Sequence, residues 1–145
     1  MVNRQSKTPV SGPVFRRKTE RVLKLLSCDR RISVVIVDER EMSRLHKRYL
    51  NDGRPTDVMA FPPAKEDPSF LGEVVVSVDA ARRVGTSYGN LWQDELLLYI
   101  CHGILHLLGY RDKTRRDQKV MFKKQDEILG KMIRKWPSKK QKPLS

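Results

Sequence analysis

The feature that most constrains this chain is an apolar run from Leu96 to Leu108 that contains two histidines. His102 and His106 are four residues apart, and Gly109 follows directly after the run. Side chains at positions i and i+4 of an α-helix lie one above the other, with about 5–6 Å between their Cβ atoms. Glycine adopts positive φ easily and often follows the last residue of a helix. The pattern therefore predicts a helix over 94–108 that presents both imidazoles on one face.

The spacing of the two histidines suits a metal site. Two imidazoles at this separation can bind one ion at about 2.0–2.1 Å each, and a turn at Gly109 can bring a third ligand back to the same face. Asp112 stands ten residues after His102, which gives the spacing His-x-x-x-His-x-x-Gly-x-x-Asp of a metzincin zinc site. Burying both histidines in a core without partners would cost several kcal/mol in total. We therefore predict a metal site formed by His102, His106 and Asp112.

Position 103 separates this pattern from that of a zinc peptidase. In metalloproteases the residue after the first histidine is a glutamate that acts as general base. Here it is Gly103, which has no side chain to accept a proton. The sequence therefore disfavours a peptidase that works by this mechanism.

Three further residues are open to a functional and a structural interpretation. Cys101 is either a thiolate ligand or an inert buried thiol, and its different helix face favours the inert thiol. Glu95 is either an acceptor that orients a metal ligand or an exposed residue of the first helical turn. His46 lies among basic residues, which favours a surface position over a metal ligand.

The charge of the chain indicates a polyanionic partner. Lysine and arginine number 30 against 17 acidic residues, so the net charge is +13 over 145 residues. This balance favours nucleic acid or an anionic membrane surface, although a solvated basic surface is the alternative. No apolar run approaches the roughly 20 residues of a membrane-spanning helix, and 1–13 lacks the apolar segment of a secretory signal. With two cysteines and no disulfide framework, we expect a cytoplasmic protein without a membrane partner.

The remaining pattern predicts alternating helices and strands. Residues 1–13 are expected to be a disordered lead-in, 14–136 a single domain and 137–145 a basic tail. Strands are expected over 32–37, 56–61 and 72–78, a turn over 51–53, and helices over 15–27, 39–50 (capped by Asp38), 79–88 and 114–135. In the last helix the residues expected to face inward are Val120, Met121, Ile128, Leu129 and Met132. This order predicts an α+β fold in which a small mixed sheet is covered by helices, one of them a metzincin-like metal-site helix.

Three motifs occur in order along this domain: Pro-Thr-Asp-Val-Met-Ala-Phe-Pro at 55–62, Leu-Gly-Glu-Val-Val-Val-Ser at 71–77, and the block from His102 to Asp112. Together they resemble the YbeY family of bacterial endoribonucleases, also called rRNA maturation factors, over about 32–129. The resemblance implies one Zn²⁺ per chain and hydrolysis of single-stranded RNA. It also implies maturation of rRNA, notably the 3′ end of 16S rRNA, ribosome quality control and the small ribosomal subunit as a partner.

Two positions depart from the family pattern. The family motif usually ends in Gly-Tyr-Asp-His with the final histidine as third ligand, whereas this chain has Asp112 there. A carboxylate can bind zinc at about 2.0–2.2 Å, but it lowers the formal charge of the site and weakens the metal as a Lewis acid. Many members also carry an arginine at the position of Leu50, for which Arg54 or Arg48 is a candidate replacement.

The mechanism that follows is a hypothesis in which zinc polarises a water or a phosphate oxygen. Arg54 or Arg111 would stabilise negative charge on the phosphate, and Phe61 and Tyr110 are candidates for stacking bases. The alternative is a non-catalytic, ribosome-associated RNA-binding factor in which the metal is structural.

Overall fold

The computed structural model of the chain describes residues 2–3, 10–50 and 56–136. Within these ranges there are four strands and five helices. In chain order they are β1 (Val2–Asn3), α1 (Gly12–Leu25), β2 (Arg31–Val37), α2 (Glu39–Leu50), β3 (Val58–Phe61), β4 (Phe70–Ser77), α3 (Val78–Tyr88), α4 (Trp92–Leu107) and α5 (Arg115–Gly130). The predicted strands and helices therefore all occur in the predicted order.

The strands form one mixed sheet in the order β1-β2-β4-β3. Strand β2 runs parallel to both β1 and β4, with Val34 opposite Val74 and Ile36 opposite Val76. Strand β3 pairs antiparallel with β4. The predicted α+β class with a small mixed sheet is confirmed.

Both faces of the sheet are buried. Val74 and Val76 lie in the main hydrophobic core, whereas Val75 lies in a second, smaller core together with Met42 of α2. Alternate residues of a strand point to opposite faces, so three successive valines require cover on both sides. The helices provide it: α2 covers one face, and α4 contacts β3 and β4 on the other.

Helix α4 is the central helix of the domain. It contacts α1, α3 and α5 as well as the sheet, and its residues from Glu95 to Leu105 are all buried. A helix covered on every side is apolar on every side, which explains why the run from Leu96 shows so little polar periodicity. The two histidines thus belong to the most enclosed helix of the described ranges.

The ends of the helices follow their local sequence. The Asp38 carboxylate accepts a hydrogen bond from the Glu41 backbone N–H at 2.8 Å, as expected for the residue that caps α2. Ser77 caps α3 in the same way, with its hydroxyl accepting from the Ala80 N–H at 3.1 Å. Gly89 ends α3 with φ 71°, a conformation that glycine adopts without strain.

The structure differs from the prediction in three places. Val2–Asn3 form a strand and α1 begins at Gly12, so part of the expected lead-in is ordered. The last helix ends at Gly130, and Val120 is 56% exposed rather than turned inward. The predicted turn over 51–53, the tail over 137–145 and residues 1 and 4–9 lie outside the described residues, and the division into domains stays a prediction. None of the helices in the described ranges combines the length and apolar character needed to cross a bilayer.

Candidate metal centre

The end of α4 turns the chain back toward its own histidines. Gly109 has φ 102°, its N–H donates to the His106 carbonyl at 3.0 Å, and the Tyr110 N–H donates to the Leu105 carbonyl at 3.0 Å. This pair of hydrogen bonds is the Schellman arrangement that closes many helices at a glycine. The backbone carbonyl of Asp112 then accepts from Gln118 Nε2 at 2.9 Å, which ties the returning chain to α5.

The reversal brings the three predicted ligands together. The Nε2 atoms of His102 and His106 are 3.0 Å apart, and the Asp112 Oδ2 atom lies 3.6 Å from the first and 3.3 Å from the second. The potential ligand atoms of these residues all lie within 4.8 Å of one another, and they form the candidate metal group of the described residues. A metal ion can bind to this group.

The outer nitrogens of both imidazoles have hydrogen-bond partners. His106 Nδ1 lies 3.1 Å from the Tyr110 backbone oxygen, and His102 Nδ1 lies 3.0 Å from Gln125 Oε1. A carbonyl oxygen only accepts, so each Nδ1 carries the proton and donates it. In a neutral imidazole that donates from Nδ1, the Nε2 atom keeps its electron pair, and the two Nε2 atoms lie beside each other and beside the Asp112 carboxylate. Three acceptors that converge in this way can hold a cation between them.

The protonation state of His102 also suits a ligand. Its side chain is fully buried, whereas those of His106 and Asp112 are 28% and 27% exposed. Burial, followed by the nearby charge of His106, lowers the pKa of His102 to about 4. The imidazole is therefore neutral at pH 7, and neutral imidazole is the form that binds metals.

Gly103 packs directly against the sheet. A Cβ atom at this position would lie 2.6 Å from Val74 Cγ1 and 3.3 Å from Val58 Cγ2. A side chain at this position would therefore require Val74 to move or α4 to shift away from the sheet. This close contact leaves no room at position 103 for the glutamate that a peptidase of this kind carries there.

Cys101 and Glu95 are not part of the metal group. Burial raises the pKa of the Cys101 thiol to about 12, as expected for the inert thiol. Glu95 is only 2% exposed, and its carboxylate accepts a hydrogen bond from Asn90 Nδ2 at 3.4 Å. The expectation of an exposed first-turn residue is therefore wrong, and the oxygen within hydrogen-bond distance of the His102 ring belongs to Gln125.

The candidate arginines and base-stacking aromatic residues differ in where they lie. Arg111 is exposed and precedes Asp112 in the returning chain, and Arg54 lies outside the described residues. The Arg48 guanidinium lies over the Tyr49 ring at 5.5 Å from its centroid. Phe61 is half-buried with its ring edge-on to Tyr49, and Tyr110 is half-buried against the main core.

Comparison with known proteins identifies the family. A sequence model of the family described as Endoribonuclease YbeY matches residues 1–133. The chain belongs to this family. The resemblance read from the three motifs is thereby confirmed.

Two of the similar YbeY proteins match this chain along most of their length. The Endoribonuclease YbeY of Acholeplasma laidlawii is 37% identical over 112 residues, which is 77% of this chain and 82% of the relative. That of Syntrophus aciditrophicus is 34% identical over 136 residues, or 88% of this chain and 84% of the relative. A solution structure of a Thermotoga maritima protein superposes with a TM-score of 0.67 at 28% identity, covering 94% of this chain and 91% of the other.

The sequence analysis missed Gln125. It is 6% exposed on the inner stripe of α5, four residues after Met121 and three before Ile128. A glutamine at such a position needs a buried partner. The helical spacing from Met121 to Ile128 therefore contained the signal, but not the identity of the partner.

Proposed function

We propose that this chain is a zinc-dependent endoribonuclease that cleaves single-stranded RNA, with one Zn²⁺ held by His102, His106 and Asp112. The observation that carries the proposal is the convergence of two imidazole Nε2 atoms and one carboxylate oxygen, with the Nδ1 atom of each imidazole within hydrogen-bond distance of an oxygen acceptor. The similar proteins that are named endoribonucleases supply the reaction class.

The distances between the ligand atoms suit zinc. In a tetrahedral zinc site with bonds of about 2.0–2.1 Å, neighbouring ligand atoms lie about 3.3–3.4 Å apart. The three distances in this group are 3.0, 3.3 and 3.6 Å, which bracket that value. The donor set of two imidazoles and one carboxylate is one that catalytic zinc commonly takes, and it leaves the fourth position for water or substrate.

The residues divide the work of the site. Zinc, when bound, supplies a Lewis acid that polarises a water or a phosphate oxygen. His102 forms the buried floor, and the part-exposed sides of His106 and Asp112 face the solvent from which RNA approaches. Gly103 provides no general base, so the proton of the attacking group is taken up elsewhere. Arg111, and Arg54 beyond the described residues, would stabilise negative charge on the phosphate.

The biological substrate we propose is ribosomal RNA. The chain would mature rRNA ends, notably the 3′ end of 16S rRNA, and take part in ribosome quality control on the small subunit in the cytoplasm. The net charge of +13 supports an RNA partner, because neutralising backbone phosphates dominates the affinity of such complexes.

The decisive experiment is elemental analysis of untagged protein with and without the Asp112 carboxylate. We expect one zinc per wild-type chain and a sharply reduced content in Asp112→Ala, because the variant lacks one of three protein ligands. The loss in zinc affinity should exceed the roughly 10–100-fold that is typical of an outer hydrogen-bond partner. Asp117→Ala is the matched control, since it removes a carboxylate from the first turn of α5 without touching the ligand set.

Each contrary result has a definite meaning. Wild-type protein without zinc would contradict the proposal and favour the RNA-binding factor that does not cleave. Zinc retained in full by Asp112→Ala would remove Asp112 from the ligand set.

Arg111→Ala should lower RNA cleavage without changing zinc content. Removing a single group that stabilises transition-state charge typically lowers kcat by about 10²–10³-fold. Arg116→Ala is the control, because Arg116 is also exposed near this end of α5 but lies farther along the chain from Asp112. The control should mainly weaken RNA binding and reduce its salt dependence by about one phosphate contact. Equal effects of the two substitutions on kcat would show that Arg111 binds the RNA backbone and takes no part in catalysis.

A further inference from the structure

Gln125 is a polar side chain in an apolar environment. It is 6% exposed on the face of α5 that also carries Met121, Ile128 and Leu129, all of them fully buried. A buried amide is expected to form hydrogen bonds to protein groups, because it has lost those to water. Gln125 is therefore expected to form a hydrogen bond with another buried polar group.

The contact is with the most deeply buried metal ligand. Gln125 Oε1 lies 3.0 Å from His102 Nδ1, and the two residues are 23 positions apart on neighbouring helices. An amide oxygen accepts two hydrogen bonds and donates none. It therefore favours the tautomer of His102 in which Nδ1 carries the proton and Nε2 keeps its electron pair.

The two histidines differ in which group accepts the hydrogen bond from Nδ1. For His106 the acceptor is the backbone oxygen of Tyr110, which the turn after α4 provides whatever the side chain at 110. For His102 the acceptor is a side chain from another helix. On the Nδ1 side, the tautomer and ring orientation of His102 therefore depend on the side chain of Gln125.

We propose that Gln125 is the positioning residue of the metal centre, accepting the Nδ1 proton of His102 so that Nε2 is directed at the metal. This inference rests on the zinc site of the proposed function and assigns to it a residue on α5. Outer acceptors of this kind fix a ligand's orientation and typically contribute about 10–100-fold to metal affinity.

Two substitutions at 125 separate the hydrogen bond from packing. Gln125→Leu places an apolar side chain of similar size in the core and removes the acceptor. Gln125→Glu keeps an acceptor at the same reach. Ile128→Val is the matched control, because it trims a buried side chain of the same helix that makes no hydrogen bond.

The first measurement is zinc affinity of the metal-stripped full chain, by competition with a chromophoric chelator. We expect Gln125→Leu to bind zinc about 10–100-fold more weakly than wild type. Gln125→Glu and Ile128→Val should bind zinc about as tightly as wild type or more tightly. The second is the imidazole nitrogen spectrum of the metal-free proteins by NMR. His102 should be the Nδ1–H tautomer in wild type and Gln125→Glu, and should lose that preference in Gln125→Leu.

The outcomes distinguish this inference from the proposed function. Zinc bound by wild type and equally tightly by Gln125→Leu would overturn the positioning role while leaving the zinc site in place. Equal weakening by Leu and Glu would overturn it too, because the retained acceptor would then have no effect. A wild-type chain that binds no zinc would overturn both. If Gln125→Leu fails to fold, loss of zinc affinity or of the Nδ1–H tautomer in Gln125→Glu would still overturn the inference.

Discussion

Replacing His106 by alanine should abolish zinc binding and RNA cleavage while leaving the fold intact. The variant removes one of two imidazole ligands, and Asp112 and His102 alone make a poor zinc site. Loss of the metal should lower the rate by at least about 10³-fold, because a metal in such a site supplies several kcal/mol of transition-state stabilisation. The measurements are zinc content, cleavage of a single-stranded RNA and thermal unfolding of the metal-free protein.

His106 is a better target than His102 for this test. The His102 side chain is fully buried between α4 and α5, so its removal would open a cavity and break the hydrogen bond to Gln125. The His106 side chain is 28% exposed, and its removal leaves the core in place. His46→Ala is the control, since it removes a histidine outside the metal group and should leave cleavage unchanged. RNA cleavage retained by His106→Ala would contradict the proposal. Loss of fold and RNA binding together would favour a structural metal.

The secondary structure was predictable wherever local chemistry decides it. The start of α2 was predicted from Asp38, and the turn that brings Asp112 back was predicted from Gly109. Each of these residues acts through its own backbone preference or through a hydrogen bond within a few positions. The metal group was predictable for the same reason, since a helix of known pitch and a glycine turn fix where His102, His106 and Asp112 lie.

The wrong or missing predictions concern side chains whose position depends on contacts between elements that are distant in the sequence. Val120 was expected to face inward because it is apolar, but the buried stripe of α5 runs through Met121, Gln125, Ile128 and Leu129. An isolated apolar residue on the surface is ordinary and carries no stability penalty large enough to rotate a helix. Gln125 lies on this buried stripe opposite His102 of α4, and only the packing of the two helices shows that partner.

Gly103 is another residue for which the sequence alone does not show the contact. From the sequence, Gly103 indicated only that the general base of a peptidase is missing. In the structure it is also a point of close approach between α4 and β4, since a Cβ there would meet Val74. Spacing along one helix predicts which residues share a face, but not how near that face comes to the sheet.

Gly103→Ala should therefore destabilise the protein although alanine is the better helix former. The added Cβ would lie 2.6 Å from Val74 Cγ1 and 3.0 Å from Val74 Cγ2, closer than carbon atoms pack. Overpacking of this kind typically costs about 1–3 kcal/mol of the free energy of unfolding. Chemical denaturation of the metal-free protein measures the change, and a weaker zinc affinity should accompany it because the helix that shifts carries both histidines.

Gly130→Ala provides the matched control for this substitution. Gly130 is the last residue of α5, and nothing lies within 4 Å of a Cβ built there. Alanine should therefore leave the stability unchanged or raise it by up to about 1 kcal/mol, which is the gain in helix propensity alone.

Val74→Ala removes both methyl groups that the new Cβ would meet, so the double variant with Gly103→Ala should lose less stability than the two single losses added together. If Gly103→Ala is as stable as Gly130→Ala, then close packing of α4 on the sheet does not explain the glycine. A destabilised Gly103→Ala that Val74→Ala partly relieves would show that position 103 is constrained by packing, whatever chemistry the neighbouring histidines perform.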